Sequence, residues 1–221
     1  MKKIVTFGEL MLRLNPPTFD RFGQCSHFEA YFGGSEANVA VSLANYGLRS
    51  EFVSCLPANK IADASVRDLN HYGVITDHVI RKPGRMGLYY MEEAVAMRSS
   101  QVVYDRGDSS FDSLEPGDLD WEAIFHDADW FHWSGITPAI SDKAAELTRL
   151  ACEAAKRHGV KVSVDLNFRK NLWTTEKAGR VMGELMPFVD VAITFEELQA
   201  LFDAKEIDIT ALPESDLDSA S

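Results

Sequence analysis

Four short segments carry residue types whose spacing could do chemistry. The first is Gly33-Gly34-Ser35-Glu36-Ala37-Asn38. Two adjacent glycines let backbone amides come close to a ligand, and the helix they open would aim its positive end at it. Asn38, one turn in, can donate to or accept from a hydroxyl. A plain turn with Ser35 as helix cap explains the same residues without a ligand. The second segment is Tyr89 with Tyr104-Asp105-Arg106. On a strand, Tyr104 and Arg106 share one face and Asp105 takes the other. A phenol beside a guanidinium suits a polar ligand with a carboxylate; a solvated sheet face with an aromatic stripe is the bland equivalent. The third, Ser134-Gly135-Ile136-Thr137-Pro138-Ala139, predicts a loop at the carboxyl edge of a sheet. Open α/β sheets bind ligands there, although such a loop can also merely connect. The fourth is Val164-Asp165-Leu166-Asn167-Phe168-Arg169-Lys170, a strand end presenting Asn167 and Arg169. An arginine in that place is hard to justify by packing and easy to justify as an anion clamp.

The elements that must hold these segments are legible from periodicity. Residues 4–7 predict a short buried strand stopped by Gly8. The helix opened by Gly33-Gly34-Ser35 carries Ala37, Ala40, Val41 and Ala44 on one face and stops at Gly47. A strand over 51–56 and a helix over 61–72, closed by Gly73, follow. Between 74 and 106 the pattern changes to strand-like pieces at 74–80, 87–92 and 101–105, split by Lys82-Pro83-Gly84 and Arg98-Ser99-Ser100. No helix intervenes, which predicts hairpin strands in an antiparallel layer. Alternation then resumes with a helix over 121–126 and a strand over 128–133. A helix capped by Ser141 and ended by Gly159 comes next, then a strand over 160–166, a helix over 175–186, a strand over 190–194 and a helix from 195. Strands alternating with crossover helices predict a parallel α/β sheet covered on both faces.

Composition narrows the function classes. In 221 residues, 46% hydrophobic and 25% charged, Lys+Arg 22 against Asp+Glu 34 gives 22 − 34 = −12. These are proportions of an ordinary globular chain, and a nucleic-acid backbone would be repelled. Cys25, Cys55 and Cys152 are too few and too scattered for a disulfide framework. Glu9 interrupts the first apolar run too early for a signal peptide, and no stretch approaches a membrane span, so a soluble, cytoplasmic protein without membrane partners is expected. The chain holds no G-x-G-x-x-G, no P-loop, no G-x-S-x-G and no H-E-x-x-H. His126 and His132 stand six apart with no ligand cluster, so no metal site is assigned. Residues 203–221 carry six acidic residues against Lys205 and read as a frayed tail.

In this order the four segments resemble the ribokinase, or PfkB, family of carbohydrate kinases, most closely its 2-keto-3-deoxygluconate kinase branch. The Gly-Gly helix motif marks the superfamily; Tyr104-Asp105-Arg106 with Gly135-Ile136-Thr137-Pro138 marks the sugar-acid branch. The resemblance runs from residue 1 to about 202. It implies a three-layer α/β/α core with a small β lid built from about 10–32 and 74–106, and lids that pair into homodimers. It implies ATP and Mg2+ as cofactors and a small sugar acid as substrate, phosphorylated on its 6-hydroxyl. Position by position, Gly34 and Asn38 would bind sugar hydroxyls, Tyr89, Tyr104 and Arg106 would meet the substrate from the lid, and Ile136 would line the pocket through its backbone. Arg169 would hold the carboxylate or lie between it and the nucleotide phosphates. Asn167, Arg169, Thr194 and Glu197 would fall on the nucleotide side, with Thr194 standing where the family has an Asn.

The family also implies a Gly-Ala-Gly-Asp element in a further C-terminal third. Its Asp is the catalytic base and its amides form the anion hole. The 221 residues contain no such element, and Arg106-Gly107-Asp108 and Pro116-Gly117-Asp118 do not replace it. The expectation is a C-terminally truncated kinase domain over 1–202, either a fragment or a natural truncation, without the family's catalytic base and turning over at least about four orders of magnitude more slowly than a complete relative. The rivals are a fructokinase-like enzyme for a neutral sugar and a non-catalytic sugar-acid-binding or dimerisation module.

Overall fold

The computed structural model describes residues 1–193. Six strands form a parallel sheet: β1 (Lys3–Phe7), β4 (Arg49–Leu56), β5 (Val79–Arg81), β8 (Trp130–Ser134), β9 (Lys161–Asp165) and β10 (Val191–Ile193), in the order β10-β9-β8-β1-β4-β5. Helices α1 (Ser35–Asn45) and α2 (Lys60–His71) make the crossovers on one side; α3 (Trp121–Phe125), α4 (Ile136–Ile140), α5 (Asp142–Arg157) and α6 (Thr175–Leu185) make those on the other. Alternation along β4 divides the core: Val53 and Cys55 join the cluster under α5 and α6, while Phe52 and Leu56 join Ala37, Ala40, Ala62 and Leu69. The expected three layers are present. Ser141 caps α5 by accepting from the Ala144 N–H at 3.2 Å, and the apolar stripe Ala144, Leu147, Ala151, Ala154, Ala155 is buried. Gly159, at φ +69, ends that helix in a conformation other residues resist.

Strand order reverses between β1 and β8. From β1 the chain builds outward through β4 and β5, then returns to β1's other side and builds through β8, β9 and β10. Loops leaving β1 and β8 therefore diverge, which opens a crevice at their carboxyl ends.

A second sheet of four strands forms the lid: β2 (Met11–Asn15), β3 (Glu29–Gly33), β6 (Leu88–Glu92) and β7 (Gln101–Asp105), in the order β3-β2-β6-β7. Two expectations are corrected here. Residues 74–80 are not a lid strand: Val74 is buried in the core, Ile75 bridges to Glu51, and β5 pairs parallel with β4. The α2 crossover returns this segment to the core sheet before the chain leaves for the lid. The lid is also not purely antiparallel, because β2 and β6 pair parallel. Each leaves a core strand, β1 or β5, at the same carboxyl edge, so both set out in one direction. A third correction concerns 134–139, where Ile136–Ile140 is a helix and not a loop. Pro138 is tolerated there because a first-turn N–H has no helical partner to lose. The helix expected from 195 and the tail 203–221 lie outside the described residues. Among the described residues no helix is long and apolar enough to cross a membrane.

Candidate active site

Glu36, in the first turn of α1, ties the crevice together. It is 1% exposed, and its Oε1 accepts from the Ser134 N–H at 3.0 Å, the Ser134 hydroxyl at 2.6 Å and the Thr137 hydroxyl at 2.8 Å. One carboxylate thus fixes the end of β8 and the first turn of α4 against α1. Gly8 and Gly135 allow the close approach: a side chain on Gly8 would collide with the Glu36 carboxylate, and one on Gly135 with the Leu166 carbonyl. Burial pushes the Glu36 carboxyl above its ordinary value, opposed by hydrogen bonds from Ser134 and Thr137.

Above the carboxyl ends of β8 and β9 lies a cleft of about 580 Å³. Tyr104 and Arg106 line it from the lid, Ile136 from α4, and Phe168, Arg169 and Lys170 from the segment after β9. Among the described residues three cations and no carboxylate line this cleft, in a chain whose net charge is −12. Arg169 and Lys170 are exposed to it. Arg106 is not free: its Nε and Nη2 both donate to Glu9 Oε2, Nε at 2.9 Å. Glu9 follows β1 and is 4% exposed, so a buried ion pair joins the exit of β1 to the exit of β7. The guanidinium keeps the N–H groups on its far side for a ligand. Asp105 points away, as strand alternation requires, and pairs with Arg85 at 2.7 Å.

The other expected residues fall beside the cleft. Tyr89 lies tilted against Tyr104, ring centroids 5.9 Å apart, and a side chain on Gly33 would begin 3.1 Å from the Tyr89 hydroxyl and 4.0 Å from Asn38 Oδ1. Asn38 opens into a neighbouring groove of about 430 Å³ with Tyr31 and Gly33. Gly34 is the N-cap of α1 with no side-chain cap, and a side chain there would strike the Glu9 carbonyl. Ser35 is therefore the first helical residue and not the cap. Asn167 adopts φ +32 and donates its N–H to Asp165 Oδ1 at 3.1 Å. Burial raises the Asp165 carboxyl, with that bond and the Arg169 charge opposing. Thr194 and Glu197 lie outside the described residues. His132, bonded to Ser163 Oγ at 2.9 Å, is pushed down to about 4 by burial, a neutral core histidine.

Sequence reasoning overlooked Glu9, Lys170, Arg13 and Tyr31. Two signals stood in the sequence: a carboxylate directly after a strand-ending glycine, and an arginine inside the apolar run Met11-Leu12-Arg13-Leu14. Arg13 holds its guanidinium 4.7 Å from the Tyr31 ring centre.

A parallel α/β core with a β lid over a cationic cleft at the strand-order reversal defines a ribokinase-like fold. The chain matches the pfkB family carbohydrate kinases over residues 1–215 and belongs to that family. It is 34% identical over 194 residues to a 2-dehydro-3-deoxygalactonokinase of Haloferax volcanii, covering 88% of this chain and 61% of that one. It superposes with TM-score 0.88 and 45% identity on the crystal structure of 2-dehydro-3-deoxygluconokinase from Thermotoga maritima, covering 89% of this chain and 60% of that one. A fructokinase from Xylella fastidiosa with bound ATP gives TM-score 0.81 at 26% identity, with 96% of this chain and 67% of that one covered. The chain thus spans about 60% of the length of the two sugar-acid kinases.

Proposed function

We propose that this chain serves the ATP-dependent phosphorylation of a 2-keto-3-deoxy sugar acid, of gluconate or galactonate configuration, on its 6-hydroxyl. The observation that carries this reading is the cleft lined by Arg106, Arg169 and Lys170, with no acid among the described residues that line it. An acidic chain repels anions on average, so a local cationic cleft selects where one can dwell. Arg169, free of Glu9's competition, is the group for the carboxylate; Arg106 adds its remaining donors, and the Tyr104 hydroxyl and Ile136 backbone complete the wall. Lys170, a compact charge, suits phosphate oxygens. ATP supplies the phosphoryl group when bound. Mg2+ is its expected companion, carried largely by the nucleotide's own phosphates; among the described residues no group of three His, Cys, Asp or Glu could hold a metal by itself.

A neutral sugar, as in a fructokinase, would leave the exposed Arg169 guanidinium without an anionic partner among the described residues. The absence of a carboxylate from the described part of the cleft lining favours a second reading, in which the chain binds the sugar acid without turning it over. A homodimer through the lid is part of the proposal. The lid face opposite Tyr104 carries Leu12, Leu14, Tyr90 and Val103, with Val103 52% exposed and Phe28 packed on Tyr90. A cytoplasmic setting is in keeping with three unpaired cysteines, two of them buried.

Arg169→Ala tests the carboxylate assignment. Arg169 is exposed, so solvent screens it, and the expected loss of 2-keto-3-deoxygluconate affinity is about 1.5 kcal/mol, roughly tenfold in Kd. Calorimetric titration reads it. A loss below about twofold would make Arg169 a surface residue with no part in binding.

A further inference from the structure

We infer that Glu9 is a positioning residue that sets the anion selectivity of the cleft. It holds Arg106 and cancels its charge, so Arg106 contributes chiefly hydrogen bonds, and the pull on a carboxylate comes from Arg169 and Lys170. The inference rests on the sugar-acid reading above and adds to it a residue outside the cleft wall, acting through Arg106. Glu9 stands where the lid joins the core. It lies between β1 and β2, the first of four passages of the chain between the two sheets, and it meets the other three. A side chain on Gly34, between β3 and α1, would strike the Glu9 carbonyl, and one on Gly87, at the head of β6, would begin 2.6 Å from Glu9 Oε1. Glu9 Oε2 accepts from Nε and Nη2 of Arg106, which follows β7.

The form of the pair argues against a mere fastening of the lid. A fastening pair would use both carboxylate oxygens, as bidentate arginine–carboxylate pairs do. Here both guanidinium bonds end on Oε2, and Oε1 is buried with no partner among the described residues. An unpaired buried oxygen costs stability, and a buried ion pair is often no more stabilising than two apolar side chains of similar size. What the arrangement does supply is a negative charge that no second donor dilutes, held against the guanidinium from outside the cleft wall.

The side chains of Arg106 and Glu9 are 11% and 3% exposed, so water and salt screen the pair little. A ligand in the cleft therefore meets, at Arg106, a neutral unit with N–H groups to spare. Arg169 and Lys170, in the same wall, are exposed cations. The cleft thus has a hydrogen-bonding side on the lid and a charged side after β9.

The test is calorimetric titration of the 221-residue chain, of Glu9→Gln, and of Glu9→Gln combined with Arg106→Gln. Each is titrated with 2-keto-3-deoxygluconate and with fructose, at low and at high salt. Glu9→Gln keeps an acceptor for Arg106 but removes the opposing charge. It should bind the sugar acid at least about fivefold more tightly than the unsubstituted chain, with fructose affinity changed by less than about twofold and the gain eroded by salt. A residue that only fastens the lid would instead cost affinity for both sugars alike. The double variant loses a neutral unit, so both sugars should weaken while their affinity ratio stays within about threefold of the unsubstituted chain's. Weaker binding of both sugars by Glu9→Gln, an unchanged ratio there, or a collapsed ratio in the double variant would overturn the proposal. If Glu9→Gln fails to fold, the double variant, which leaves no charge of the pair behind, decides; if that also fails, the pair is a structural joint and the proposal falls. An unsubstituted chain without preference for the sugar acid would overturn the sugar-acid reading, and Glu9's role with it. Preference by that chain, with variants that depart from the expected pattern, would overturn Glu9's role only.

Discussion

Purified, and given saturating ATP, magnesium and 2-keto-3-deoxygluconate, the 221-residue chain is expected to release ADP at least about 10⁴-fold more slowly than a complete relative. A positioned general base contributes 10²–10⁴ in rate, and anion-hole donors contribute a similar factor. The Gly-Ala-Gly-Asp element expected to supply both does not occur in the sequence. The structure offers no substitute among the described residues. No carboxylate lines the cleft, Glu9 is committed to Arg106, and Asp165 accepts from the Asn167 N–H with its carboxyl raised by burial. A coupled ADP-release assay measures the rate. Turnover near one per second would show that a carboxylate of this chain acts as the base, and Asp165→Asn would be the first substitution to examine.

Replacing Glu36 should cause the largest loss of stability of any single side chain at the crevice. Glu36→Ala leaves three donors, the Ser134 N–H and hydroxyl and the Thr137 hydroxyl, without their acceptor in a site sealed from water. Each buried orphan costs about 1–3 kcal/mol, which corresponds to a fall of roughly 10 °C or more in Tm for a chain this long. Glu36→Gln keeps an acceptor oxygen and should fall less. The pH dependence has a definite sign. Because the folded carboxyl is raised, the native state binds its proton more tightly than the unfolded chain. This group's contribution to stability therefore declines as pH rises from the unfolded carboxylate value through the raised folded one, and is fully present below both. Glu36→Gln should remove that decline. Thermal melts followed by circular dichroism would show both effects, and a Glu36→Ala variant melting within 2 °C of the parent would contradict the network's role.

Much of this was legible in the sequence because it depends on local patterns. Ser141 at the head of an apolar stripe, Gly159 at its end and the Gly33-Gly34 pair each announce an element boundary, and each boundary lies within a residue or two of its expected place. That Tyr104 and Arg106 line one cleft while Asp105 turns away followed from strand alternation alone. What was not legible depends on register between segments far apart in the chain. Nothing near residue 79 says that it pairs with Ser54, and nothing near Arg13 says that Tyr31 and Tyr89 will flank it. The Glu9–Arg106 pair spans 97 residues and exists only because the exits of β1 and β7 meet. Glu36 reads as an ordinary first-turn acid favoured by the helix dipole, and only the closure of β8 and α4 over it makes it a buried anchor.

The central claim is that the cleft takes a sugar acid and not a neutral sugar. Titrating the chain with 2-keto-3-deoxygluconate and with fructose, at one pH and one salt concentration, tests it most directly. The guanidiniums of Arg169 and Arg106 should favour the sugar acid at least about tenfold, the worth of one charge-assisted hydrogen bond of about 1.5 kcal/mol, and added salt should erode that preference. Equal affinities, or a preference for fructose, would contradict it.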